Sequence, residues 1–298
     1  MACYDYIIAG VSLRSDRDIV GLGLRAFAPF RANEHVEHAD CILSFVDEME
    51  VSKVQIVKEL YSSHVDEFDV DNRVYKTECG YLYTAVVAGD ESRAVSFHVD
   101  TKSWHITTDA LANGCDGSIL RFGLWVTFGV VLVAHDAFAI HSSAVVHEGR
   151  AALFLGESGT GKSTHTRLWC ENIAGARLLN DDSPIVRIVD GEVVAFGSPW
   201  SGKTPCYKAE SYPIAGFCRL SQAPHNKISR QSTIAAIGAL LASLPPQYAH
   251  DTELQDRMLA TLGRVIRRVA VYRMECLPNA EAAQVSQKTI YDAAEVVR

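Results

Sequence analysis

Residues 156–163 read Gly156-Glu157-Ser158-Gly159-Thr160-Gly161-Lys162-Ser163 and decide the fold of this chain of 298 residues. They match the phosphate-loop pattern G-x-x-x-x-G-K-[ST] at every fixed position. The apolar run 151–155 predicts a short buried strand, and the run 164–170, which lacks Gly and Pro, predicts the opening of a helix. A strand, a glycine-rich turn and a helix start let backbone N–H groups surround a phosphate. We therefore favour a phosphate-binding loop over a glycine-rich turn with a solvated lysine.

Two side chains of this loop predict what the phosphate belongs to. In loops of this pattern the lysine, here Lys162, reaches the β- and γ-phosphates of a nucleotide. The hydroxyl of the next residue, here Ser163, holds Mg²⁺. The positive end of the helix dipole adds to the attraction for phosphate. ATP and Mg²⁺ are therefore the predicted ligands.

An acidic pair follows the next apolar segment. Residues 176–179 predict a buried strand, and Asn180-Asp181-Asp182 comes at its end. A carboxylate at the tip of a strand that follows a phosphate loop is placed to hold the Mg²⁺ that bridges the phosphates. Neighbouring carboxylates repel, which raises the pKa of one and suits it to accept a proton. The alternative is an Asx turn into Pro184; we favour the metal and base roles.

A loop rich in Gly, Pro and Ser spans residues 197–205 and contains Trp200 and Lys203. If Lys203 faces the phosphates, its charge assists the reaction. A structured surface loop with a solvated lysine is nearly as well supported by the sequence. Lys203 is therefore a candidate catalytic residue, with Arg219 as another cation that could neutralise charge.

Residues 1–112 differ in texture from the rest of the chain. Short β-branched or aromatic runs alternate with Gly, Asp and Asn, as at Val87-Ala88-Gly89-Asp90. This pattern predicts a small, mostly antiparallel β lobe. The turn-forming cluster Asn113–Gly117 marks a boundary, and a long apolar helix follows at about 118–135. Residues 113–298 are predicted to form an α/β domain with an α+β tendency.

Further elements are predicted in this second part. Tight turns predict two hairpins, 139–146 with 151–155 and 185–189 with 192–196. The other predicted elements are strands 214–220 and 269–274 and helices 232–243, 251–268 and 279–296. In the helix 251–268, apolar residues recur at helical spacing and Asp251 is the predicted N-cap.

Composition limits the class of partner. The net charge is −8 and no basic run of five residues occurs, which argues against nucleic acid. The most apolar stretch, Phe122–Ala134, is shorter than the roughly 20 residues that cross a bilayer, so a core helix is predicted and no membrane partner. The eight cysteines include no C-x-x-C pair. No basic segment followed by an apolar core begins the chain, so we expect reduced thiols and a cytoplasmic location.

Three segments together resemble a known family. His141-Ser142-Ser143-Ala144, the loop 156–163 and Asn180-Asp181-Asp182 are similar to the C-terminal domain of the HPr serine kinase/phosphorylase family. The loop also resembles that of ATP-dependent phosphoenolpyruvate carboxykinases, which share this P-loop fold. The resemblance covers roughly residues 139–277. It implies an HPr kinase/PEP carboxykinase-like P-loop domain beside the smaller β lobe.

The resemblance implies a role for each matching residue. Residues 156–163, with Thr164, would bind the phosphates of ATP. Ser163 and Asp181 would organise Mg²⁺, with Asp182 close enough to count among the metal residues. Asp182 resembles the general base that takes the proton of the acceptor hydroxyl, and His141 the histidine near the transferred phosphate. The implied activity is a Mg-ATP-dependent phosphotransferase acting on a hydroxyl, of serine type, in a protein, peptide or small molecule.

Two departures bear on the acceptor. The family has Glu after the loop serine, where this chain has Thr164, and its Glu/Arg/Gly-rich segment is replaced by the segment 199–203. The resemblance therefore implies a kinase paralogue with another acceptor. A nucleotide-binding regulatory protein without transfer is the alternative, and a carboxykinase-like enzyme ranks lowest because no second metal site of the Lys/His kind is recognisable. The oligomeric state stays open.

Overall fold

The computed structural model describes residues 3–65, 69–87, 94–112, 114–202 and 204–295. The chain forms two units, the first from Met1–His135 and Pro246–Arg257 and the second from Asp136–Pro245 and Met258–Arg298. The architecture is mixed α/β, with one large sheet in each unit.

The first unit is built on an eight-stranded sheet in the order β1-β2-β3-β8-β7-β6-β5-β4. Its strands are β1 Tyr4–Ile8, β2 Val11–Ser15, β3 Cys41–Phe45, β4 Ile56–Val65, β5 Val70–Thr77, β6 Gly80–Val87, β7 Val95–Asp100 and β8 His105–Thr108. The pairs β2–β3 and β3–β8 are parallel, and the other five pairs are antiparallel. The predicted mostly antiparallel β lobe is confirmed.

Helix α1, Gly117–Ala134, belongs to this first unit and packs on β6 and β7. Its Asp116 N-cap accepts from the Ser118 N–H at 2.6 Å. A Cβ at Gly123 would lie 2.3 Å from the Phe97 ring, so the helix approaches the sheet closely. The boundary therefore lies at 135/136 rather than at the predicted 112/113, because the apolar face of α1 covers the first sheet. Among the described helices α1 alone is long and apolar enough to span a membrane, and 61% of it is buried, as expected of a core helix.

The second unit is built on a nine-stranded sheet in the order β12-β10-β11-β15-β14-β13-β9, with β17 beside β15 and β16 beside β17. Its strands are β9 Ala137–Ala139, β10 Ser142–His147, β11 Arg150–Leu155, β12 Arg177–Asp182, β13 Ile185–Val189, β14 Glu192–Phe196, β15 Ser211–Gln222, β16 Lys227–Arg230 and β17 Val271–Cys276. The pairs β11–β15 and β15–β17 are parallel. Both predicted hairpins are present.

Helices cover both faces of the second sheet. They are α2 Lys162–Asn172, α3 Thr233–Leu241, α4 Thr252–Ile266, which belongs to this unit from Met258 onwards, and α5 Ala280–Glu295. The core of one face contains Trp169 of α2 with Ala283 and Ile290 of α5. The core of the other face contains Leu240 of α3 and Val265 of α4. We call these the α2 face and the α3 face.

The predicted strand 139–146 divides in two. Ile140 N donates to Pro184 O at 3.1 Å, and His141 N donates to Ser243 O at 2.8 Å. These bonds take two residues out of the ladder, so β9 pairs with β13 while β10 pairs with β11 and β12. His141 lies at this crossing, between two strands and the end of α3.

Candidate active site around the glycine-rich loop

The loop 156–163 connects β11 to α2 through a turn that only glycine forms easily. Gly159 has φ 80° and Gly161, the N-cap of α2, has φ 101°. Nothing lies within 4 Å of a Cβ at either position, so the backbone conformation, not crowding, requires glycine there. Ser163 is exposed on the first turn of α2 and Thr164 is half-buried beside it. The first N–H groups of α2 therefore point out of the loop.

Lys162 is folded back across the loop. Its side chain is buried, with 9% exposure for the residue. The ammonium donates to Gly156 O at 2.8 Å, to Glu157 O at 3.1 Å and to His141 Nε2 at 2.9 Å. Burial lowers the pKa of Lys162, while the carboxylates of Asp182 and Asp181 act in the opposite direction. The ammonium group is thus bonded to two carbonyl oxygens of the loop and to His141, and phosphate oxygens could replace these acceptors.

His141 joins Lys162 to Asp182. Its Nδ1 lies 3.1 Å from Asp182 Oδ1, and the two side chains are 46% and 41% exposed. Because an ammonium only donates, Nε2 accepts from Lys162, and Nδ1 carries the proton donated to Asp182. The structure therefore brings together three residues, Lys162, His141 and Asp182, that the sequence predicted from separate segments.

Asp181 has different surroundings from its neighbour. It is 4% exposed and accepts from Ser143 Oγ at 2.7 Å. Ser143 Oγ lies 2.9 Å from Thr166 Oγ1, whose hydroxyl donates to Ser163 O at 3.1 Å. Because side chains alternate along a strand, Asp181 lies on the α2 face and Asp182 on the α3 face. The two acids therefore have different neighbours and lie on different faces of the sheet.

The register of the sheet extends this alternation across five strands. Consecutive pairing partners on the α2 face are Asp181, Ser143, Phe154, Cys218 and Tyr272. On the α3 face they are Asp182, Ser142, Leu155, Arg219 and Arg273. The loop leaves the sheet from the middle strand of both rows. Each face therefore presents its own set of side chains to the loop.

Hydrogen bonds from Asn180 hold the segment 198–202 beside Asp181 and Asp182. This fully buried side chain donates from Nδ2 to Trp200 O at 3.0 Å and accepts from Ser183 N at 2.9 Å. Gly202 N donates to Asp181 O at 2.7 Å. A Cβ at Gly202 would lie 2.8 Å from that carbonyl oxygen. Lys203 itself lies outside the described residues, so its catalytic role stays a prediction.

A cavity of about 550 Å³ opens beside the loop on the α2 face. Gly161 and Thr164 line it on the loop side, and Leu168, Leu220 and Leu277 form apolar walls. We call it the α2-face cavity. Its size and lining suit a flat, largely apolar group attached to a phosphate.

His165 lies at the back of the α2-face cavity and is buried. Its Nε2 lies 3.0 Å from Ser286 Oγ, and Trp169 Nε1 donates to the same hydroxyl at 2.9 Å. Burial lowers the pKa of His165 to about 4, so the ring is neutral at pH 7. The two hydrogen bonds to Ser286 join α2 to α5.

Sequence reasoning missed Asn180, Ser143 and Thr166 as supporting residues. For Asn180 alone a signal was available, because it is a polar residue at the end of an apolar strand. In the part of the chain that the structure describes, no group of three or more His, Cys, Asp or Glu side chains could hold a metal ion.

Comparisons with known proteins give one kind of match. No protein-family model matches the chain, and no curated protein matches it significantly. Among solved structures, the chain is similar to the HPr(Ser) kinase/phosphatase from Coxiella burnetii, with a TM-score of 0.31 and 10% sequence identity. The match covers 53% of this chain and 96% of that chain. A likeness at this level indicates a distant fold relationship only.

Proposed function

We propose that this protein is a Mg-ATP-dependent phosphotransferase that moves the γ-phosphate of ATP to an alcohol hydroxyl. The observation that carries the proposal is the hydrogen-bonded chain from Lys162 through His141 to Asp182 at the mouth of the loop. A cation for the phosphate and a carboxylate for the hydroxyl proton are the two groups that this reaction needs from the protein. The resemblance of the three sequence segments to HPr serine kinases supports the same reaction class.

The loop and the α2-face cavity together suit the nucleotide. The N–H groups of the loop 156–163 and the start of α2, with Thr164 beside them, would bind the phosphates. Lys162 would exchange its bonds to Gly156 O and Glu157 O for phosphate oxygens. The nucleoside would occupy the cavity against Leu168 and Leu220.

Oxygen ligands for Mg²⁺ lie on the same side. Ser163 is exposed at the helix start, and Asp181 is a buried carboxylate whose described donor is the neutral Ser143 hydroxyl. A buried carboxylate is costly unless a cation or several donors stabilise it, so Asp181 fits a metal-holding role. Asp182, the next residue along the chain, is the third metal residue that the sequence predicts. Mg²⁺ held by these residues would neutralise the charge of the phosphates.

The acceptor reacts on the α3 face. Its hydroxyl oxygen attacks the γ-phosphorus, the bond from that phosphorus to the β–γ bridging oxygen breaks, and the electron pair leaves on ADP. The hydroxyl proton passes to the Asp182 carboxylate. His141 orients that carboxylate through its Nδ1–H, and Lys162 stabilises the charge on the transferred group.

The remaining attributes follow the same proposal. The acceptor is a hydroxyl of a protein, a peptide or a small molecule, and nucleic acid and membranes are not partners, in keeping with the net charge of −8. All eight cysteines are free thiols, which suits a reducing cytoplasm.

The substitution Asp182→Asn tests the proposal. It keeps the shape of the side chain and the acceptor for His141 Nδ1 but removes the base. We expect MgADP affinity within threefold of wild type and a loss of roughly 10²–10⁴-fold in the transfer rate. Calorimetry measures the first, and product formation from labelled ATP with a panel of hydroxyl acceptors measures the second.

Asp190→Asn is the matched control. Asp190 occupies a turn with φ 50°, a conformation that Asn also tolerates, between β13 and β14. It should change neither quantity. Full transfer activity in Asp182→Asn contradicts the base assignment. Tight MgADP binding with no labelled product in any wild-type reaction would favour a regulatory nucleotide-binding protein instead.

A further inference from the structure

Two arginines extend the α3-face row away from the loop. Leu155, which directly precedes the loop, pairs with Arg219 on β15, and Arg219 pairs with Arg273 on β17. These three strands are parallel. Leu155 is the last residue of β11, and Arg219 and Arg273 each lie three residues before the last residue of β15 and β17. Ligands of open α/β sheets bind beyond the carboxyl ends of the strands, so the arginines are close to that edge.

Arg219 and Arg273 lie on neighbouring strands, and their positive charges are only weakly neutralised by nearby glutamates. Like charges directly opposite each other on adjacent strands repel. Arg219 approaches Glu157 at 3.4 Å, but that glutamate is 85% exposed. Arg273 approaches Glu275 at 3.5 Å, and both side chains are exposed. Solvent screens such pairs strongly. Both arginines, one and two strands from the loop, could therefore exchange these weak partners for an anionic ligand.

This charge lines a second cavity, of about 410 Å³, between the sheet and α3. Arg219, Ser221 and Arg273 line it from the sheet, and Gly238 and Ala242 from α3 and its end. We call it the α3-face cavity. The residue after Ala242, Ser243, accepts the backbone bond of His141. The lining of the cavity along α3 therefore runs from the arginine pair to Ala242, one residue before the backbone partner of His141.

We propose that the α3-face cavity binds the phosphate acceptor and that the acceptor carries an anionic group, a carboxylate or a phosphate, held by Arg219 and Arg273. This inference rests on the proposed phosphotransferase function and names its substrate class. Asp182 and Arg219 lie in the same α3-face row, three strand spacings apart, or about 14 Å between Cα atoms. The reacting hydroxyl and the anionic group are then a few bonds apart in a small molecule or at one end of a peptide. Paired guanidinium groups suit both anions because they donate several parallel hydrogen bonds.

Three probes with one carbon skeleton test the charge requirement. They are glycerol, glycerate and glycerol 3-phosphate, titrated by calorimetry into the full-length protein loaded with MgADP. We expect at least one charged probe to bind tenfold or more tightly than glycerol. Preference for glycerate identifies a carboxylate acceptor, and preference for glycerol 3-phosphate a phosphorylated one.

Arg273→Gln then locates the binding group. It should weaken the preferred charged probe at least tenfold and leave glycerol and MgADP unchanged. Arg267→Gln removes the same charge from an exposed position of the second unit outside the cavity and should change nothing. An equal loss in both variants, or a loss of MgADP affinity in Arg273→Gln alone, overturns the inference.

A substitution without a change of charge tests the cavity itself. A Cβ at Gly238 meets nothing within 4 Å, so Gly238→Leu places its side chain in open space and improves helix propensity. It should abolish probe binding, whereas Gly238→Ala should bind the probes within threefold of wild type. Equal probe affinities in Gly238→Leu and wild type, or equal binding of glycerol and both anions to wild type, refute the inference. The phosphotransferase proposal fails separately, if wild type does not bind MgADP.

Discussion

The two cavities differ in character although they lie on opposite faces of one sheet. The α2-face cavity has apolar walls from Leu168, Leu220 and Leu277, and the α3-face cavity has Arg219 and Arg273. The strand pleat produces this difference, because successive residues of β12, β15 and β17 point to opposite faces. A sheet with two such faces can hold a nucleotide on one face and a second substrate on the other.

The adjacent acids repeat the same contrast at smaller scale. Asp181 is buried among the hydroxyls of Ser143 and Thr166, on the α2 face. Asp182 is half-exposed and bonded to His141, on the α3 face. The buried acid suits a fixed cation, and the accessible acid suits a substrate that arrives and leaves.

Substitution of Lys162 is expected to reduce phosphate transfer and ligand binding the most, because this residue contacts both the loop and His141. Lys162→Met removes the charge for the phosphates and the donor to His141 Nε2. We expect transfer to fall roughly 10³-fold and affinities for both MgADP and the preferred charged probe to fall. Steady-state kinetics and calorimetry measure these effects. Lys227→Met, on the exposed strand β16, is the control; transfer within tenfold of wild type in Lys162→Met would contradict the shared role.

A smaller effect concerns stability on the α2 face. His165 is neutral and buried when folded, with a pKa near 4, against 6.5 when unfolded. Above pH 6.5 it has no effect on the pH dependence, and as pH falls from 6.5 towards 4 the unfolded state binds the proton first. Stability should therefore fall by about 2–3 kcal/mol over this window. Urea unfolding of wild type and His165→Gln at pH 7.5 and 4.5 measures it; identical pH dependence in the two proteins would refute it.

Local sequence signals predicted the elements that local chemistry determines. The loop, its flanking strand and helix, the two hairpins and the Asp251 N-cap follow from glycine positions, apolar runs and a capping side chain, and the Leu254 N–H donates to Asp251 at 2.9 Å. The apolar run 6–11 looks like one strand by the same signals but belongs to two, because Ala9 and Gly10 both have positive φ and form a turn.

Features set by distant pairing could not be predicted in this way. Arg219 and Arg273 are neighbours only through the parallel register of β15 and β17, which no local pattern reveals. The domain boundary moved for a similar reason, since an apolar helix does not encode which sheet it covers. The family resemblance, and not residue spacing, pointed to His141. Its position depends on two backbone hydrogen bonds, from Ile140 N to Pro184 O and from His141 N to Ser243 O.

The most direct test is a crystal structure of the protein with Mg²⁺ and a non-hydrolysable ATP analogue. The account predicts that the triphosphate lies on the loop 156–163 and the metal beside Ser163 and Asp181. It predicts that the adenine ring lies in the α2-face cavity against Leu168. It also predicts that the γ-phosphate points towards Asp182, with the α3-face cavity left open. An adenine ring bound against Arg273, or a loop 156–163 without bound phosphate, would contradict the account.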